Sequence, residues 1–390
     1  MAKIRVFLFL LTIVVVGFFG FYISYYARGY RLNLGTLKFE PNGILVIKSE
    51  PDGASVYING TLKAATNANL SLPPGVYDVE VKKDGYFSWY KRLTIEKEIV
   101  TNASVSLFRQ VPSLSPLTFS GSVNPVVGDD GTKIAFTVPP SANAGADKIG
   151  LYTMDTFSLP LGFTNEPKRI TDGDQSHSTY QISPDNRQIL LTTSNGIFLI
   201  DSGSFTPQSQ MVNSTSQKDL ILKGWQNERT TRDASLIRNL PLQVSDLLTH
   251  KTSNFTFSPD ENMVLYQASG SANLPDDLIR PLPGSSTQRQ ERNIESGKTY
   301  VYDLKEDRNF LVSDQTQPAI RWLTTSKHLL ISEPGKVEVM DYDGTNKVVV
   351  YSGAYEAPNA FPYTNATKIL ILTNLGGDSV VPNLYTLTVK

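Results

Sequence analysis

Apolar and polar positions alternate with a period of two through most of this chain, and the exception is its amino terminus. No charged residue occurs from position 6 to position 26. About 21 residues of helix reach about 32 Å, enough to cross a hydrocarbon core of roughly 30 Å. Tyr22, Tyr25 and Tyr26 cluster at one end, as interfacial aromatics do. Lys3 and Arg5 precede the stretch and Arg28 and Arg31 follow it, so the charge bias is nearly balanced. The competing reading is a cleaved signal peptide. That wants a shorter apolar region and small residues before the cut, and a cut after Ala27 would put Tyr25 at −3. The pattern predicts an uncleaved signal anchor over residues 1–27, single-pass, with the bulk of the chain outside the cytoplasmic membrane.

A juxtamembrane linker is expected over 28–42, and a small β-module over 43–110. "GILVIKS" is a short apolar run. In "GVYDVEVKK", Tyr77, Val79 and Val81 face one way and Asp78, Glu80 and Lys82 the other. "RLTIE" and "ASVSLF" repeat the habit, which predicts antiparallel strands packed on one side. "LPPG" and "KDG" punctuate them as turns. In "SEPDGASVYING", Pro51 fixes φ and Gly53 permits positive φ, so the segment reads as a tight turn with Asp52 capping it. Asn59-Gly60 is of the kind that closes a hairpin. No base or nucleophile stands near either turn.

These residues resemble the PEGA domain, a family named for a Pro-Glu-Gly-Ala turn, here Pro51-Asp52-Gly53-Ala54, followed by "LSLPPGVYDVEVKKDGY" and a closing strand. The usual glycine and Thr-Pro after the Asn-Gly are replaced here by "TLKAATNANL". The resemblance implies a small β-sandwich-like module of surface and envelope proteins, with no catalytic residues.

Residues 111–390 carry internal repeats. "VVGDDGTKIAF" (126–136), "QISPDNRQILL" (181–191) and "TFSPDENMVLY" (256–266) share one template, and "RWLTTSKHLLI" (321–331) and "FPYTNATKILI" (361–371) are weaker copies. Each is a strand, a polar turn and an apolar strand. A further strand follows each: "GLYTMD", "GIFLID", "TYVYDL", "VEVMD" and "NLYTLTV". Asp155, Asp201, Asp303 and Asp341 end four of them. This is the order of a propeller blade. The "SPD" turns resemble those of TolB-type and related WD-like β-propellers. Five units are visible, and a sixth is open to assembly from residues near 112–120 or 205–225. The predicted fold is mainly β: one transmembrane helix, a small antiparallel β-sandwich-like module, and a five- or six-bladed β-propeller.

Blade geometry puts most long insertions, 139–148, 225–252, 269–298 and 374–382, on one face, with 157–168 the exception. Leu236, Ile237, Leu240, Val244, Leu247 and Leu248 give 225–252 a helical apolar pattern broken by Pro241. Residues 269–298 are rich in Pro, Gly, Ser, Gln and charge, and are expected to be mobile when free, so that a short linker could replace 273–296 without loss of fold. In "GYFSWYKRL", unbroken alternation sends Phe87 and Trp89 inward and Tyr86 and Tyr90 outward. The candidate binding residues are Tyr86, Tyr90, Trp225, Leu236, Leu240, Arg289 and Arg292.

Composition narrows the chemistry. A net charge of −1 gives no basic balance pointing to nucleic acid, and the absence of cysteine removes disulfides, thiolate zinc sites and cysteine nucleophiles. His177, His250 and His328 lie far apart and read as surface or rim residues. "TDGDQS" and "DYDGTN" lack the glycine and later glutamate of an EF-hand loop, so polar turns are expected there. No G-x-S-x-G, Walker loop or dinucleotide fingerprint occurs, and no cofactor or metal is implied. The expected function is non-catalytic: binding or structure at the cell surface, toward a protein or cell-wall glycan partner. The alternative is an accessory propeller of an envelope enzyme such as a peptidase or hydrolase.

Overall fold

The computed structural model describes residues 2–27, 30–33, 38–140, 145–157, 166–280, 282, 286–314, 319–363, 366–375, 377 and 381–390. Parts of the insertions 139–148, 157–168, 269–298 and 374–382, and of the stretch 28–42, lie outside the described residues. The chain is mainly β and divides into two compact units, Met1–Leu107 with Arg280–Arg289, and Phe108–Ile279 with Gln290–Lys390.

The first unit begins with helix α1, Ala2–Ala27. Its apolar window Ile4–Ala27 is not buried by any other part of the protein. The stretch read as a linker contains a hairpin instead: Tyr30–Asn33 pairs antiparallel with Lys38–Pro41. Beyond it two sheets form a sandwich. One is ordered Ala68–Leu72, Gly43–Glu50, Val100–Ser106; the other Thr61–Ala65, Ser55–Ile58, Gly75–Lys82, Trp89–Ile95. Leu45, Ile47, Ala103 and Val105 from the first meet Val56, Ile58, Val79, Val81, Trp89 and Ile95 from the second. The predicted alternation of Gly75–Lys82 holds at its inner end, where Val79 and Val81 are fully buried. One pairing departs from the antiparallel expectation. Gly43–Glu50 and Val100–Ser106 run parallel, because they are the first and last strands of the sandwich and the other sheet lies between them in sequence, so no hairpin turn sets their direction.

Among the described residues the second unit contains five sheets of three or four antiparallel strands, besides a two-stranded pair, Ala272–Asn273 with Asn293–Ile294. The first holds Val123–Val127, Lys133–Val138, Gly150–Asp155 and Lys168–Asp172; the second Thr179–Ile182, Gln188–Thr193 and Gly196–Asp201. The third holds Thr252–Phe257, Met263–Ala268, Thr299–Asp303 and Arg308–Ser313; the fourth Ala319–Trp322, His328–Glu333, Lys336–Asp341 and Val348–Ser352. The fifth holds Ala360–Tyr363, Lys368–Thr373 and Asn383–Thr388, and takes its outer strand, Ser113–Pro116, from the start of the unit.

Each repeat read from the sequence is the first hairpin of one sheet. The fourth turn residue, Gly131, Asn186, Glu261, Ser326 or Ala366, is left-handed in all five, with φ between 58° and 70°. Only one is glycine, so the turn's hydrogen bonds offset the strain. The backbone N–H of Ser183 donates to the Gln188 carbonyl at 2.9 Å, and that of Ser258 to Met263 at 2.8 Å. The Ser183 and Ser258 hydroxyls donate to Asp185 and Asp260 at 2.6 and 2.7 Å. The Ser183 bond holds the Asp185 carboxyl below its usual range. Adjacent turns are tied as well. Asn186 donates to Asp130 at 2.7 Å, and the Asp260 N–H donates to the Ser326 hydroxyl at 3.0 Å.

Sheet faces pack on one another around most of the unit. Ala135, Leu151 and Ile170 of the first sheet meet Tyr180, Ile182, Ile189, Leu191 and Ile200 of the second. Met263, Leu265 and Val301 of the third meet Trp322, Leu329, Ile331 and Met340 of the fourth. Phe361, Tyr363 and Leu370 of the fifth meet Ile134 and Met154 of the first. Between the second and third sheets, helices take over. Helix α2, Lys218–Ile237, sets Trp225, Ile221 and Leu222 against Leu190, Ile197 and Leu199 of the second sheet. Helix α3, Leu242–His250, sets Val244, Leu247 and Leu248 against Val264, Tyr266, Tyr300 and Tyr302 of the third. The two stretches left open for a sixth unit are thus spent elsewhere among the described residues: 113–116 in the fifth sheet, and 205–225 in short turns and the start of α2.

Trp225 wedges α2 onto a three-stranded sheet, so Trp225→Ala is expected to cost about 3–5 kcal/mol, the range for a buried large-to-small change. Urea unfolding of the full-length protein in detergent, followed by circular dichroism, measures it. A loss below about 1 kcal/mol, the scale of an ordinary surface change, would contradict the wedge.

Candidate functional site

The turn at Pro51–Ala54 is held by a chain of hydroxyls. The Ala54 N–H donates to Thr66 Oγ1 at 2.9 Å, Thr66 and Ser49 hydroxyls lie 2.5 Å apart, and Ser49 Oγ donates to the Pro51 carbonyl at 2.6 Å. Lys83 Nζ donates to the Asp52 carbonyl at 2.7 Å. Gly53 has φ +69°, as the turn requires. The Asp52 side chain is exposed and, among the described residues, has no hydrogen-bond partner, which corrects its expected role as a cap. The capping hydroxyls come instead from Ser49, which donates, and Thr66, which accepts, residues at neighbouring strand ends. Asn59 and Gly60 both have positive φ, 48° and 76°, and close the hairpin between Ser55–Ile58 and Thr61–Ala65.

Of the aromatic candidates, Tyr90 is exposed and Trp89 is buried. Tyr86 is half-buried and packs against the sandwich core, contrary to the outward position expected. Alternation does not run through it, because the strand starts only at Trp89 and Tyr86 belongs to the preceding turn, its N–H donating to the Lys83 carbonyl at 3.1 Å.

The insertion candidates are mostly structural. Trp225 is 7 % exposed and so presents no surface to a partner. Leu236 is half-buried, and Leu240 packs with Ile237 against the third sheet's cluster. Arg289 is exposed. Arg292 has only 12 % of its side chain exposed, and its Nη1 lies 3.0 Å from Asp307 Oδ1, itself 4 % exposed. Arg292 also donates to the carbonyls of Asp307 and Pro275. Tyr302 donates to Asp307 at 2.6 Å, and the Leu278 N–H donates to its other oxygen at 2.7 Å. Burial first, and this carboxylate second, push the Tyr302 hydroxyl far above its ordinary range.

This network corrects the expectation of a mobile, dispensable insertion at 269–298. Leu274 and Ile294 are core residues, and they share one cluster with Val244, Leu247 and Leu248 of α3. The two insertions therefore meet on one side of the third sheet. Arg280–Arg289 belongs to the first unit, where Thr287 and Gln288 donate to the Arg92 carbonyl at 3.0 and 2.7 Å.

Two further features were not read from the sequence. His328 is buried rather than at the surface. Its Nδ1 lies 2.8 Å from Thr325 Oγ1 and its Nε2 3.5 Å from Asp341. Packing accounts for this trio: in the first repeat Lys133 and Asp155 take the positions of His328 and Asp341 and pair at 3.3 Å. The second feature is a cleft of about 370 Å³ lined by Asn254, Phe255, Thr256, Leu265, Tyr266, Gln267, Thr299, Ala319, Ile320 and Arg321. It is polar, and Arg321 is its one charged residue.

The acidic turns hold their own backbone. Asp174 accepts the Ser176 N–H at 2.9 Å, and Asp343 accepts the Thr345 N–H and hydroxyl. Among the described residues no cluster of potential metal ligands occurs.

Residues 42–110 match the PEGA domain. That range coincides with the sandwich and its two Asn-Gly and Pro-Asp-Gly-Ala turns. No curated protein matches the chain. Among solved structures it is similar to TolB from Acinetobacter baumannii, at 13 % identity and a TM-score of 0.23, over 80 % of this chain and 59 % of that one. It thus spans about three fifths of that TolB. A putative TolB from Agrobacterium tumefaciens gives 10 % identity and a TM-score of 0.19, over 83 % and 91 % of the two chains. An acylaminoacyl peptidase from Pyrococcus horikoshii gives 11 % and 0.23, over 70 % and 39 %.

In the PEGA unit, Thr66→Val breaks the hydroxyl chain under a buried N–H and is expected to cost about 1–3 kcal/mol. Asp52→Ala should stay within about 0.5 kcal/mol, as an unpaired surface change does. Thermal unfolding of the two variants compares them directly, and the reverse order would return Asp52 to the turn. In the second unit, Arg292→Ala strands the Asp307 carboxylate and is expected to cost about 3–5 kcal/mol. An unchanged urea midpoint would show that the insertion is dispensable after all.

Proposed function

We propose that this chain is a membrane-anchored, non-catalytic binding protein of the cell envelope. The observation that carries the reading is α1: a charge-free apolar surface of transmembrane length that the rest of the protein leaves uncovered. In water that surface would be costly; in a bilayer it is the favourable state. The PEGA match at 42–110 supports an envelope location, since that family's resemblance implies surface and envelope proteins.

In this reading the second unit is a five-bladed propeller whose ring is closed by the pairing of Ser113–Pro116 with Asn383–Thr388. The five-sheet order and the matched turns support it. The α2–α3 pair fills the sector where a sixth blade would stand, which the two helix–sheet clusters support. The partner, a protein or a cell-wall glycan, docks on the side of the second unit where α3 meets Leu274 and Ile294. In the first unit, Tyr90 and Arg289 are the exposed members of the candidate set.

Protease added to intact cells should degrade both folded units, and amino-terminal sequencing of the purified protein should begin ahead of residue 6. A mature terminus after Ala27 would replace the anchor with a cleaved signal. Protection of both units in intact cells, with digestion after lysis, would place the chain on the cytoplasmic side.

A further inference from the structure

Arg321 is the one cation on the first strand of the fourth sheet, Ala319–Trp322, at a repeat position where the other repeats carry Val126, Gln181, Thr256 and Phe361. It has been brought out of bulk water without an acid. Its guanidinium lies 4.9 Å over the Phe361 ring, a cation–π contact. Nη1 reaches the carbonyls of Pro358 and Ala360 only at 3.4 Å. Among the described residues Nε and Nη2 have no acceptor, and neither is among the atoms sealed from solvent. No described carboxylate forms an ion pair with it. Burial pulls its pKa below that of an ordinary arginine, yet an arginine stays charged at neutral pH.

The cleft it faces is built to orient a polar molecule. Asn254, Thr256, Gln267 and Thr299 supply neutral donors and acceptors, and Phe255, Leu265 and Ile320 supply apolar wall. The Trp322 indole N–H donates to the Thr256 carbonyl at 3.0 Å and ties the third sheet to the fourth beside it. The volume is at the low end of ligand pockets, roughly 300–1,000 Å³. The lining holds one positive charge and no negative one, so an anion is the occupant that relieves the uncompensated cation. A guanidinium edge with two parallel N–H groups matches a carboxylate, which can accept both at once.

We propose that this cleft binds a carboxylate-bearing small ligand, a peptide chain end or a sugar acid, across the Nε–Nη2 edge of Arg321. The site does not depend on the anchor: a cleaved amino terminus would leave it unchanged.

The test is titration of the full-length protein in detergent, by tryptophan fluorescence and calorimetry. The probes are tri-alanine as free acid and as carboxyl-terminal amide, and glucuronic acid as free acid and as methyl ester. At least one acid should bind saturably, with its neutral derivative at least tenfold weaker. Binding of the tripeptide acid assigns the source to peptide ends, and binding of glucuronic acid to sugar acids. Arg321→Gln should lose the same tenfold or more, while Arg321→Lys keeps part of it. Equal binding of acid and neutral derivative to the wild-type protein, or no saturable binding of either acid, would overturn the proposal. The wild-type comparison stands even if Arg321→Gln fails to fold.

Discussion

The pairing of Ser113–Pro116 with the chain's last strand is the contact on which the second unit depends. Without it, Asn383–Thr388 would be an open edge with unpaired N–H and C=O groups. The surroundings reinforce it. The Leu384 carbonyl accepts from Leu117 at 2.8 Å, and the Thr118 hydroxyl accepts from the Leu384 N–H at 2.9 Å while donating to Asn383 at 3.0 Å. Two segments more than 260 residues apart in sequence are thereby joined. The entropy of closing so long a loop grows only slowly with its length, so a short strand with side-chain locks can offset it once the intervening sheets are packed. The first sheet packs on the second and on the fifth, and the third on the fourth.

The one place where sheet does not meet sheet shows how the constraint is met differently. Among the described residues the second sheet has three strands; after Gly196–Asp201 the chain bridges it at Phe198 and Asn213, and the Ser214 N–H donates to the Ile197 carbonyl at 2.7 Å. Helices α2 and α3 then cover the two exposed faces, with Trp225 on one side and Val244, Leu247 and Leu248 on the other. The Arg292–Asp307 network clamps the neighbouring insertion onto the third sheet. Decoration and core are the same residues here.

Much of this was legible in the sequence because its periodicity is local. The five hairpins and the strand after each follow from alternation, turn chemistry and repeat spacing. What was not legible depends on distant partners. Ser113–Pro116 is polar and ends in proline, and is a strand only because Asn383–Thr388 lies beside it. Trp225 stands among polar helix residues and reads as exposed; its burial follows from a missing strand in the second sheet. Asp52 sits in the turn, but the cap comes from Thr66, whose place depends on the strand after the hairpin. Tyr86 failed because the strand starts three residues later than alternation assumed. Arg321 did leave a signal, a lone charge at a first-strand position where the aligned repeats hold neutral residues.

Hydrogen exchange of the full-length protein tests the closing strand most directly. Amides in fragments covering Ser113–Pro116 and Asn383–Thr388 should exchange only with global opening of the unit, as slowly as the buried strand His328–Glu333. Exchange of Ser113–Pro116 at the rate of a frayed terminus, with His328–Glu333 still protected, would contradict the account.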